Sequence, residues 1–157
     1  MTLRQTLDRA LVLATQRLSE VTLKRLAELE ADLVKLKAQT EADATAGAKA
    51  TLEFLSANRE WPSQAAVSNQ RAACTFIREM KAELRGNRKT SITHVIYFNY
   101  SSYPVEDDRD GSLKPIKEEL LGGNRGALVA ALRAAGAAIE WLPRDTNNQA
   151  TIRITAG

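Results

Sequence analysis

A chain of 157 residues with a formal charge of +3 and 26% charged side chains has room for one ordinary domain, or for a helical extension and a small domain. Its single cysteine, Cys74, excludes an internal disulfide framework, and no apolar run approaches the ~20 residues that a membrane span needs. Arg4, Asp8 and Arg9 interrupt the first residues, so no signal-peptide core is present, and the expectation is a soluble, cytoplasmic protein with no membrane partner.

Charge is unevenly spread. Residues 1–60 hold nine basic and nine acidic side chains, whereas residues 61–90 hold six basic and two acidic. Residues 91–124 come to −3 and residues 125–157 to +2. Positive charge is therefore concentrated in one short block, and a polyanion is the partner such a block suits.

The stretch Leu3–Asn58 has no proline and one glycine, Gly47. Leu3, Leu7, Leu11 and Leu18, then Leu26, Leu29, Leu33 and Leu36, recur mostly in steps of three and four. This spacing predicts an amphipathic, coiled-coil-like helix. Between Leu18 and Leu26 the seam passes through Thr22 in two steps of four, which relaxes any supercoil. Thr40, Asp43, Gly47 and Ala50 then weaken it. Alanine keeps helix propensity high there, so the expected form is one helix continuing to about Asn58 and bent at Gly47. A hairpin folding near Thr45–Gly47 is the alternative. Residues 1–53 contain no aromatic side chain, and a leucine seam of this length needs a partner: a second copy, another helical protein or the chain's own later helices.

Trp61-Pro62-Ser63 reads as a boundary, with Ser63 as N-cap of a second helix from about Gln64 to Arg85, closed by Gly86. Its apolar face collects Ala66, Val67, Ala73, Cys74, Ile77, Met80 and Leu84. Cys74 on that face reads as a small core residue. Arg71, Arg78 and Arg85, seven residues apart, form one stripe with Lys81 beside it and Arg88 and Lys89 following. Such a stripe either tracks a phosphate backbone or is a solvated flank.

Ser91–Tyr100 reads as a strand, with Ile92, His94, Ile96, Phe98 and Tyr100 on one face. The only histidine, His94, has apolar neighbours and no nucleophile or carboxylate beside it in sequence, so a structural role is expected. Tyr97, Tyr100 and Tyr103 fit strand packing better than base stacking. Glu106, Asp108, Asp110 and Gly111 match four positions of a calcium loop, but Lys117 stands where the bidentate glutamate belongs; an acidic turn is the better reading. Ser112–Leu121 predicts a helix with Pro115 in its first turn. Gly122-Gly123-Asn124-Arg125-Gly126 lacks the lysine–hydroxyl pair of a phosphate loop and reads as the connector to a helix ending at Gly136. Ala138–Leu142 and Gln149–Thr155 complete the chain as a hairpin.

The sequence thus predicts an α+β fold: a long N-terminal helix plus a small helix-covered three-stranded sheet, divided as residues 1–60 and 61–157. The expected function is non-enzymatic, a structural, assembly or adaptor protein without cofactor or metal that self-associates or binds a partner helix through the leucine seam. An accessory or virion-assembly component fits that build. Nucleic-acid binding through Arg71, Arg78, Lys81, Arg85, Arg88 and Lys89 is the alternative.

Overall fold

A computed structural model describes residues 1–57, 62–86, 88–98, 104–105 and 113–157. The fold is α+β, in the element order α1 (Leu3–Ala42), α2 (Ala44–Ala57), α3 (Pro62–Glu83), β1 (Ser91–Tyr97), a short 3-10 turn (Glu118–Leu120), α4 (Gly123–Ala134), β2 (Ala137–Trp141) and β3 (Gln149–Ala156). The chain forms two compact units: Met1–Thr15 with Asn69–Gly157, and Gln16–Ser68. They are called unit 1 and unit 2 below.

Unit 1 contains the sheet. Its strand order is β1-β3-β2, with both pairings antiparallel. Ile92 lies opposite Ile154, which lies opposite Ile139, and all three are buried. Ile96 of β1, Phe98 just after it, and Ala150 and Ile152 of β3 share this inner face, as period-two alternation requires. The outer face carries the Arg153–Glu140 ion pair at 2.9 Å and exposed Val95 and Tyr97. α4 packs on β2 and contributes Leu128, Val129, Ala131 and Leu132 to the core. Gly136, at φ 88°, makes the tight turn from α4 into β2.

Two helical segments complete unit 1. From α1, Leu3, Thr6, Leu7, Ala10 and Ala14 form a buried stripe at helical spacing. From α3, Ala73, Cys74, Ile77, Met80 and Leu84 form another. The segments run antiparallel, because Arg4 bonds the carbonyl of Leu84, Asp8 pairs with Lys81, and the Gln70 amide donates to the carbonyl of Ala14. Gly86, at φ 70°, follows the last turn of α3 in the left-handed conformation expected of a C′ glycine.

Unit 2 corrects the expectation of one continuous helix. α1 stops at Ala42, and Asp43 opens α2 by accepting bonds at Oδ1 from the backbone N–H groups of Thr45 (3.0 Å) and Ala46 (3.2 Å). That is N-cap chemistry. In a continuous helix, Thr40 and Gly47 would sit about 10 Å apart along the axis. Here a Cβ on Gly47 would lie 2.5 Å from the Thr40 Cα, so the chain folds back and only glycine fits the crossing. Asp43 outweighs the alanine propensity around it.

Two smaller expectations also change. α3 begins at Pro62, so Ser63 lies inside the helix rather than at its cap; its hydroxyl accepts a bond from Arg25 instead. A proline fits a first helical position because its missing N–H would be unsatisfied there. No helix spans residues 113–121 beyond the turn Glu118–Leu120. The Lys114 carbonyl accepts from Arg144, and the Lys117 N–H donates to the Pro104 carbonyl, so tertiary partners take these backbone groups out of any helical ladder. Trp61, Tyr100, Tyr103 and the acidic turn Glu106–Gly111 lie outside the described residues.

Candidate functional sites

The leucines of the predicted seam occupy two different environments. Leu3 and Leu7 are buried in unit 1, and Leu11 is half-buried. In unit 2, Leu18, Leu29 and Leu36 are half-buried, while Leu26 and Leu33 are exposed. Sequence spacing missed the neighbours of the exposed pair. Leu23 and Val34 also lie open on α1, as do Leu52 and Leu55 on α2, and these six side chains are 55–67% exposed. Leu26, Leu29, Leu33 and Leu36 keep the 3-4-3 spacing of a helix–helix seam. Against this, the buried apolar side chains described in unit 2 are Val21 and Val67 alone. Arg25 and Ser63 are buried beside them and bonded to each other at 3.3 Å.

The basic residues gather in part. Arg78 and Lys81 of α3 and Arg85 in the turn just after it stand at i, i+3 and i+7. Arg4 and Asp8 of α1 stand opposite, and together with Ala82 they bound an open cleft of about 370 Å³. Asp8 accepts from Lys81 Nζ at 2.7 Å, and Arg4 Nη2 reaches the Leu84 carbonyl at 3.3 Å. The cleft therefore holds four cationic side chains and one carboxylate. Arg4 was not legible as a member, since it lies 74 residues from Arg78 in the chain. Arg71 and Arg88 are exposed and outside the cleft, and Lys89 is paired with Glu83 at 2.9 Å.

His94 lines a second cavity of about 340 Å³ with Phe76, Tyr97, Asn124, Arg125 and Leu128. Its ring meets Phe76 edge to face, 5.2 Å between centroids. Burial pushes the imidazole below its ordinary pKa, partly opposed by the charge of Glu79. The polar side chains that line the cavity beside His94, among the described residues, are Tyr97, Asn124 and Arg125. Arg125 stacks over Phe98 at 5.4 Å. The glycine-rich segment opens α4 as a connector, with Gly123 at φ 65° and Gly122 as a cap without side-chain bonding.

Cys74 is fully buried. Among the described residues no three histidine, cysteine or acidic side chains come together to hold a metal ion, and no helix is long and apolar enough to cross a membrane. No protein-family model, no curated protein and no solved structure matches the chain.

Proposed function

We propose that the protein is a non-enzymatic assembly component that self-associates through unit 2, its partner being a second copy of this chain. The observation that carries this reading is the imbalance within unit 2: two buried valines against six large aliphatic side chains more than half exposed. Burying one such side chain is worth about 1.5–3 kcal/mol, so a helical hairpin left this open gains most of its apolar stabilisation from an outside surface. Leu26, Leu29, Leu33 and Leu36 supply the seam, with Leu23 and Val34 flanking it. Leu3 and Leu7 serve the core of unit 1.

A second copy fits this surface better than an oppositely charged partner. Residues 1–60 carry nine charges of each sign, and Glu20, Lys24, Glu30 and Lys37 all lie exposed on α1. A face with both signs can meet itself across a two-fold axis without net repulsion.

The test is mass in solution by light scattering over a range of concentrations. The expected result is a mass of at least twice the 17.2 kDa of the chain, falling to that value in a Leu26→Ser/Leu33→Ser variant. A monomer at every concentration would sink the proposal.

A further inference from the structure

The cleft between the start of α1 and the end of α3 has more positive charge than the fold accounts for. Two of its four cations have structural work: Lys81 pairs with Asp8, and Arg4 bonds the Leu84 carbonyl at the C-terminal end of α3. That carbonyl is one of the acceptors a helix leaves without an internal partner. The side chains of Arg78 and Arg85 are exposed and have no hydrogen bond or ion pair with any described residue. Both nevertheless line the same cleft as Arg4 and Lys81, with Asp8 the single carboxylate among the described residues there.

From this we infer that the cleft seats the phosphodiester backbone of a nucleic acid. Four like charges gathered around one carboxylate repel one another, and an anion placed among them relieves that repulsion. Two features select a chain of phosphates over one. Arg78 lies on α3 and Arg85 in the turn that follows it, seven residues on and about 10 Å away by helical rise, more than a single phosphate group spans. The cleft is also open at the surface rather than enclosed, as a continuous backbone requires. Arg71, seven residues before Arg78 on the same helix, is exposed as well. Among the described residues the lining includes no aromatic and no amide side chain, so the contact is to the backbone and carries no base preference.

The experiment is fluorescence anisotropy of the full chain with a labelled single strand of about 20 nucleotides, between about 50 and 200 mM salt. Three to four neutralised phosphates give a log–log salt slope of about −2 to −3 for a single strand. Arg78→Ala/Arg85→Ala is expected to lower affinity at least about tenfold at the low-salt end and to flatten the slope by about 1.4. Both side chains are exposed, and an unchanged thermal midpoint shows that the variant is folded. Arg9→Ala/Arg17→Ala removes the same charge outside the cleft and should leave affinity within about twofold. Absence of binding at low salt would overturn the inference, as would equal losses in the two double variants. Displacement of the strand by inorganic phosphate at matched ionic strength would do so too, because it would define a single-anion site.

Discussion

Arg133 holds Glu118 with both prongs of its guanidinium: Nε donates to Oε2 at 3.1 Å and Nη2 to Oε1 at 2.8 Å. The Trp141 indole N–H donates to the same Oε1 at 3.0 Å, and Arg133 Nη2 also reaches the Ile139 carbonyl. One carboxylate thus joins the 3-10 turn to α4 and to β2, fixing a segment that has no ladder of its own.

These bonds, with that from Arg133 foremost, hold the Glu118 carboxyl below its usual pKa of 4.5. A depressed folded-state value means stability that is complete above pH 4.5 and lost as pH falls through the folded pKa. The pair is part-exposed, so after solvent screening Glu118→Gln should cost only about 1 kcal/mol at neutral pH. Urea titrations of both proteins are expected to converge as the pH is lowered from 4.5 through the folded-state pKa.

His94 titrates in a different window. Its ring is neutral in the fold at a pH where an unfolded chain still takes up a proton, so the unfolded state binds more protons just below pH 6.5. Stability should therefore fall as pH drops through 6.5 and keep falling until the folded ring protonates. His94→Gln is expected to flatten that part of the stability profile, read from thermal midpoints at constant ionic strength. A slope unchanged by the substitution would assign the effect to other groups.

The predicted seam contains leucines of two kinds, and substitution separates them. Leu7 is fully buried, so Leu7→Ala should cost about 2–5 kcal/mol, seen as a large drop in the denaturant midpoint of unit 1. Leu26→Ala and Leu33→Ala remove side chains that the folded chain leaves open. Their effect on a dilute monomer should stay within about 0.5 kcal/mol, with any larger loss appearing only at concentrations where the protein associates.

Gly47 gives a test whose sign depends on the fold. In an uninterrupted helix Gly47→Ala would stabilise by up to about 1 kcal/mol. At the observed crossing the new methyl would press on the Thr40 backbone, so a loss of about 1–3 kcal/mol is expected. Asp43→Ala should cost about 1 kcal/mol through the lost cap. Calorimetry of the two variants measures both.

Local pattern made most of the elements legible. The alternation of Ile92, Ile96 and Phe98 against Thr93, Val95 and Tyr97 gave the faces of β1, and Ala150, Ile152 and Ile154 gave those of β3, because period two leaves little choice once one face is buried. The end of α1 was half legible: a hairpin near Thr45–Gly47 was the alternative reading, and the break falls just before it, at Asp43. Asp43 is an ordinary N-cap residue, but alanine on either side makes continuing a helix and restarting one look alike. The missing helix before Glu118 had no local signal at all, since Arg144 and Pro104, which take its backbone groups, come from elsewhere in the chain. The cleft was half legible: Arg78, Lys81 and Arg85 follow from helical spacing, whereas Arg4 joins them only through tertiary packing.

The sheet order has a consequence for how the molecule is made. β3 lies between β1 and β2 and follows both in the chain, and among the described residues neither edge strand has another strand to pair with. During synthesis β1 and β2 must wait, their backbone groups unpaired, until Gln149–Ala156 emerges. Leu3 and Leu7 belong to the same unit as Ile152 and Ile154, which lie at the far end of this stretch of sequence. Closing contacts across nearly the whole chain is slow relative to forming its helices. The nascent protein therefore passes through a long interval as helices with open strand edges, the interval in which a holding chaperone has most to protect.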